Sequence, residues 1–198
     1  MFRKFFGLSV IGLALCLTGC GRPYMIDLAY MPKSTPMAFP MPPMTVAVSV
    51  QDSRQRVIPY AKDPKMDGIG QNIENSDKPR AIATYDSPPA FVGDVAGRLL
   101  KLRNVKVVSD PAQAQRRLVL HLQSFWTVEG DTYKAQVDLK GDLMSQDGRS
   151  LWQGSSSGSG SNWGSSLKEV NYQEVLTDAT MDSLQQLMKD PAFVAAMR

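Results

Sequence analysis

Leu118-Val119-Leu120-His121-Leu122, then Glu129-Gly130-Asp131, then Tyr133-Lys134-Ala135-Gln136-Val137-Asp138-Leu139, then Asp147-Gly148 ahead of Leu151-Trp152: this run sets the fold class. Successive side chains of a strand point to opposite faces. Leu118, Leu120 and Leu122 therefore share one face of a first strand, and Val119, His121, Gln123 and Phe125 share the other. In the second strand Tyr133, Ala135, Val137, Leu139 and Leu143 alternate with Lys134, Gln136, Asp138, Lys140 and Asp142, the pattern of a half-buried strand. The two acid-glycine pairs are hairpin signals. The expected unit is an antiparallel meander with one face in the core and the other in water.

Upstream, Val46, Val48 and Val50 alternate with Ala47, Ser49 and Gln51 in another strand. Ser87-Pro88 has the form of a helix start, and Phe91, Val95, Leu99 and Leu102 recur at helical spacing until about Asn104. Val105-Lys106-Val107-Val108 is a short strand broken by Asp110-Pro111. A strand, a crossover with a helix, and a second strand can form a parallel pair.

Downstream, residues 154–166 are glycine and serine with Asn162 and Trp163 embedded. Gly158, Gly160 and Gly164 are spaced GxGxxxG, and Lys168 follows no GxxxxGK[ST] pattern, so both nucleotide fingerprints fail. A flat small-residue strand from Trp152 to about Trp163 is expected instead, its edge open to pairing. Asn171 with Glu174 has the form of a capping box, and Tyr172, Val175, Leu176, Ala179, Leu184, Leu187 and Met188 form the stripe of a last helix ending at Asp190-Pro191. The expected fold is α+β: a mixed, largely antiparallel sheet of about five strands with two helices on one face.

The 198 residues are 43% hydrophobic and 21% charged, a globular composition for one domain. At the N-terminus Arg3 and Lys4 precede residues 5–17, which are almost wholly apolar and match the h-region of a secretory signal. That run is too short to span a bilayer. Leu17-Thr18-Gly19-Cys20 follows and looks like a bacterial lipobox. The resemblance implies a diacylglyceryl group on the Cys20 thiol, cleavage before Cys20, and a further acyl chain on the new amine. Several chains make release from the membrane negligible. Gly21 stands where an aspartate would favour inner-membrane retention, so outer-membrane attachment facing the periplasm is expected.

The chain then divides into a signal peptide (1–19), a lipidated Cys20 with a proline- and methionine-rich tether (20–44), and a single domain (45–198) with a long polar loop at 52–80. Six prolines between residues 23 and 43 suggest a semi-rigid, polyproline-like spacer, partly docked on the domain through its apolar side chains. A loop as long as 52–80 is unusual in a compact domain and is a candidate for partner contact. Within it Asp63 and Asp67 flank a turn. A calcium loop would need more oxygen donors and a glutamate at a different offset from Glu74. Asp63, Asp67 and Trp163, an aromatic suited to a contact surface, are the candidate partner contacts.

Removing Arg3 and Lys4 with the signal leaves 20 basic against 19 acidic residues, no footprint for nucleic acid. Cys16 and Cys20 are the only cysteines and His121 the only histidine, so neither a disulfide framework nor an ordinary zinc site is expected. The tether methionines have irregular spacing and no histidine or cysteine beside them, which disfavours copper(I). A hydrolase would use His121 as base with a serine of the 155–166 run, but no GxSxG elbow is present. No metal, cofactor or catalysis is expected, and Cys20 carries only its covalent acyl groups.

The lipobox, Val46-Ala47-Val48-Ser49-Val50 with Asp52-Ser53-Arg54, the strand at 118–122, Tyr133-Lys134-Ala135-Gln136-Val137, and Asn171-Tyr172 with Glu174-Val175-Leu176 resemble the YajG-like lipoproteins. More distantly they are similar to the auxiliary lipoprotein components of ABC-type transporters such as PqiC. The resemblance covers most of the mature chain and implies a small α+β domain without known catalytic residues. Two roles follow as expectations: a membrane-tethered adaptor with an envelope protein partner, and a lipid-handling transporter subunit.

Overall fold

A computed structural model describes residues 22–36, 40–55, 63, 65–74 and 78–198. The meander forms as expected from β6 (Arg116–Glu129), β7 (Tyr133–Ser145) and β8 (Ser150–Asn162). β6 pairs with β7 along its whole length. Its other edge is shared: β2 (Met44–Asp52) runs parallel to residues 116–122, and β3 (Asp67–Asn72) runs parallel to residues 127–129. β5 (Val105–Val108) extends the sheet beyond β2 as the expected parallel pair. β4 (Arg80–Thr84) and β1 (Tyr24–Met25) extend it beyond β3.

The mixed sheet thus has eight strands where about five were expected. The three extra strands are short and carry no period-2 signal. β3 is Asp-Gly-Ile-Gly-Gln-Asn, whose glycines resemble turn punctuation. Gly70 is there because a Cβ would sit 2.3 Å from the Thr127 carbonyl oxygen. The span 52–80 is therefore no single loop, since β3 lies within it and is hydrogen-bonded on both sides.

The tether is docked on the domain through its apolar side chains, as expected. Ile26 and Met41 are buried in the core, Tyr24, Leu28 and Tyr30 pack against it, and the Met41 N–H donates to the Arg103 carbonyl at 2.8 Å. Burial of Ile26 and Met41 holds this segment against the domain at two points.

One inferred face changes for a definite reason. Register slips between Leu122 and Ser124, so Gln123 is an extra residue on β6 and Phe125 turns inward with Leu118, Leu120 and Leu122. The bulge sits where β2 leaves and β3 joins.

Three helices cover one face where two were expected. α1 (Pro88–Leu102) is capped by Ser87, whose hydroxyl accepts from the Ala90 N–H. α2 (Glu169–Lys189) begins ahead of the expected capping box: Lys168 is its N-cap and Asn171 lies inside the first turn. α3 (Pro191–Ala196) restarts the chain after Asp190, which accepts from the Ala192 N–H and from Trp152 Nε1. Trp152 is buried edge-on against Phe193.

The glycine-serine run is the seat of α2. Trp152, Gly154, Ser156, Gly158, Gly160 and Asn162 face the helix side, and a Cβ on Gly158 would lie 2.1 Å from the Ala179 carbonyl oxygen, on Gly160 2.2 Å from that of Val175. The expected open edge is also partly closed by this helix. Gln186 Nε2 donates to the Ser157 carbonyl and Asp182 accepts from the Ser159 N–H, side chains filling the hydrogen-bonding positions that another strand would need. Gly158→Ala should cost about 1–3 kcal/mol through overpacking against fixed backbone. Ser157→Ala, on the exposed face, should stay within about 0.5 kcal/mol, both read by urea denaturation.

Candidate functional site

Leu17, Thr18, Gly19 and Cys20 lie outside the described residues. The other expected contacts fall at different places. Asp63 is a turn residue whose carboxylate accepts from the Lys65 N–H. Asp67 is engaged internally: its carboxylate accepts from Arg54 Nη2 at 2.7 Å, and the same nitrogen reaches Asp52 at 2.8 Å. The Arg54 side chain is only 7% exposed. Burial opposes its charge, but the hydrogen bonds and charges of Asp52 and Asp67 outweigh that and raise its pKa. With Gln123, Ser124 and Trp126 this ion cluster lines a cleft of about 250 Å³ at the point where the sheet divides. His121 stands on the open face in register with Gln51 and Lys140.

Trp163 is 77% exposed, just past the end of β8. The segment it opens is tied down by a network that the sequence reading missed. Glu129, 1% exposed, ends β6. Its carboxylate accepts from Asn72 Nδ2 at 2.6 Å, from the Leu167 N–H at 2.9 Å, and from the Tyr172 hydroxyl. Tyr133 donates its hydroxyl to the Ser165 carbonyl and accepts from the Lys168 N–H, and Tyr24 donates to the Leu167 carbonyl. Gly164 is pressed on Asn171, with no room for a Cβ. Alternation from Leu118 would put Glu129 on the face of His121, and only the bulge at Gln123 turns it into the core, so in sequence it read as part of a turn.

Burial raises the pKa of Glu129, but the hydrogen bonds from Tyr172, Leu167, Ser166 and Tyr133 prevail and hold it below the usual carboxylate range. Burial and the neighbouring Glu129 push Tyr172 well above the usual phenol value. The pair is thus a carboxylate held by neutral phenols, a loop anchor with no group poised to exchange protons near neutrality.

A second cleft lies at the other end of α2. Pro40, Met41, Met188 and Val194 give it a mainly apolar lining of about 290 Å³, with Lys189 and Arg103 as its cations. Arg103 is 1% exposed, and its Nη1 donates to the Met188 carbonyl at 2.9 Å. Its Nε and Nη2 are buried without a hydrogen-bond partner, and burial lowers its pKa. Among the described residues no three metal-ligating side chains cluster, and no helix is long and apolar enough to cross a membrane.

No family model matches the sequence, and no curated protein matches it. Among solved structures, the chain is similar to protein XCC0632 from Xanthomonas campestris, of family DUF330, with TM-score 0.55 and 13% identity over 87% of this chain and 95% of that one. It also matches lipoprotein GNA1162 from Neisseria meningitidis with TM-score 0.29 and 16% identity, over 63% of this chain and 89% of that one. PelC from Paraburkholderia phytofirmans, a dodecamer, matches with TM-score 0.42 and 10% identity, over 78% of this chain and 92% of that one. The first of these shows a shared fold.

Glu129→Gln should cost about 1.5–3 kcal/mol at neutral pH, the value of hydrogen bonds to a buried charge. The folded pKa of Glu129 is depressed, so its contribution is complete above the unfolded value of about 4.3 and is lost as pH falls through the lower folded value. The stability gap between wild type and Glu129→Gln should therefore shrink below about pH 4, measured by urea titration across that range.

Proposed function

We propose that this chain is a bacterial lipoprotein, anchored through Cys20 to the outer membrane facing the periplasm, that acts without catalysis as an adaptor in a cell-envelope complex. The observation supporting the adaptor role is the one-sided construction of the sheet. All three helices pack on a single face, and among the described residues no element packs on the opposite face of β2, β6, β7 and β8. It presents rows of short polar and charged groups such as Gln51, His121, Lys140 and Ser155, in register across four strands. A broad, rigid, polar surface fits a protein partner better than a small molecule, which binds in concave, mostly apolar sites. The partner is met by this face and not by the β8 edge, which α2 side chains occupy at mid-length.

A photo-crosslinking residue at Gln136 or Ser157 on the open face should capture one envelope protein in cells, and the same residue at Lys101 on exposed α1 should not. Capture of no protein from the open face, with the chain normally folded, removes the adaptor reading.

The alternative is a lipid-handling auxiliary subunit of an ABC-type envelope transporter, and the Arg103 cleft favours it. A buried guanidinium with two unpartnered nitrogens beside apolar side chains suits the head of an anionic amphiphile. Its volume of about 290 Å³ is at the low end for small-molecule sites, which ranks this reading second. Native mass spectrometry of a soluble Cys20→Ser form should show a retained phospholipid that Arg103→Met abolishes if the subunit handles lipid, and a clean protein mass if it does not.

A further inference from the structure

Strand register places the start of the described chain and three exposed apolar side chains, Ile73, Trp163 and Val170, at one end of the sheet, while Tyr85 and Leu102 are exposed elsewhere. Arg80, Asn72, Glu129, Tyr133 and Asn162 form a single row across β4, β3, β6, β7 and β8. β1 runs parallel to β4 with Tyr24 beside Ile82, which sets Arg22 level with Arg80. The Arg80 Nε donates to the Arg22 carbonyl at 3.2 Å, so that juxtaposition is a direct contact. Immediately past this row stand Ile73 and Trp163, 40% and 77% exposed, and Val170, 40% exposed, follows in the first turn of α2.

We propose that this end of the domain is a membrane-facing surface, with Trp163 and Ile73 seated in the phospholipid headgroup layer beside the acylated Cys20. The inference rests on the lipoprotein reading of Cys20 and adds the orientation of the domain.

Two lengths decide it. Cys20 is two residues from Arg22, a covalent reach of about 7 Å. The headgroup layer on each side of a bilayer is about 5–7 Å thick. A domain docked from Tyr24 onward cannot stand clear of a membrane holding the acyl chains. Because β1 is in the sheet and Ile26 is buried, the prolines that follow provide no slack.

The side chains suit that position. Tryptophan is enriched at the membrane interface, where its ring is apolar and its N–H is wet. The segment carrying Trp163 is fastened by the Glu129 network, so the ring is presented at little cost in conformational entropy. Among the described residues at this end Arg22, Lys78, Arg80 and Lys168 are exposed, with the acidic Glu74 and Asp131 and the half-buried Glu169, a mixed set of charges suited to a zwitterionic headgroup layer. At the far end of β7, about 40 Å away, the hairpin at Gln146 and Asp147 carries no exposed large apolar side chain, and Leu102, at the close of α1, is the exposed apolar side chain on that side.

The test uses the acylated protein extracted from membranes and reconstituted into phosphatidylethanolamine-phosphatidylglycerol vesicles containing headgroup-nitroxide lipid. Once Cys20 is acylated, S165C and Q146C each supply a single free thiol for an environment-sensitive dye, both at exposed positions. Quenching several-fold stronger at 165 than at 146 is expected, and Trp163→Ser should reduce it. Equal or reversed quenching on vesicles that still float with the protein overturns the orientation and leaves the lipoprotein reading standing. A protein with no acyl group on Cys20 overturns both.

Discussion

At Gly158 and Gly160 the backbone of α2 lies directly on the backbone of β8, at a separation that admits no side chain. Much else is set by that contact. It requires the run of small residues, which in turn lets a long helix lie close along the edge hairpin. It brings Gln186 and Asp182 over the strand's free hydrogen-bonding groups. It fixes where the first turn of α2 arrives, so Tyr172 meets Glu129 and the connection from Trp163 to Lys168 is held on both sides. The exposed tryptophan is consequently a rigid feature, held by a buried carboxylate and three tyrosines.

The strands legible in the sequence were those whose side chains obey one strong rule. β6, β7 and β2 alternate over six or more residues, and Ser87-Pro88 announces α1 through cap chemistry that needs no tertiary partner. β1 and β3 could not be read this way, because they exist through what they pair with. Tyr24 and Met25 are two residues lying on β4, and Gly70 is selected by the approach of Thr127. The bulge at Gln123 is a property of two strands and a branching sheet, so Phe125 was assigned to the wrong face. The apparent capping box at Asn171 and Glu174 serves tertiary contacts instead, with both side chains meeting Asn162.

Site residues divide in the same manner. Trp163, a candidate contact by its residue type, is exposed in the fold, as its two companions in the sequence, Trp126 and Trp152, are not. Asp67 looked like a free acid near a turn, and only the folded sheet brings Arg54 across to it. Glu129 and Arg103 were invisible as special residues, because a buried charge looks in sequence like any solvated one. Their environments differ: Glu129 is fully partnered, whereas Arg103 keeps two buried nitrogens without partners, which is why one is an anchor and the other a candidate binding group.

On the proposed reading the domain is tethered within two residues of its lipid, with its tryptophan-bearing end at the membrane and its open sheet face turned sideways to the periplasm. Everything functional in that picture depends on the chemistry of one residue. The most direct measurement is the intact mass of the N-terminal peptide from protein purified out of the outer-membrane fraction. A chain that starts at Cys20 and carries diacylglyceryl and N-acyl groups is the predicted result. A chain retaining residues 1–19, or starting elsewhere with an unmodified cysteine, would contradict it.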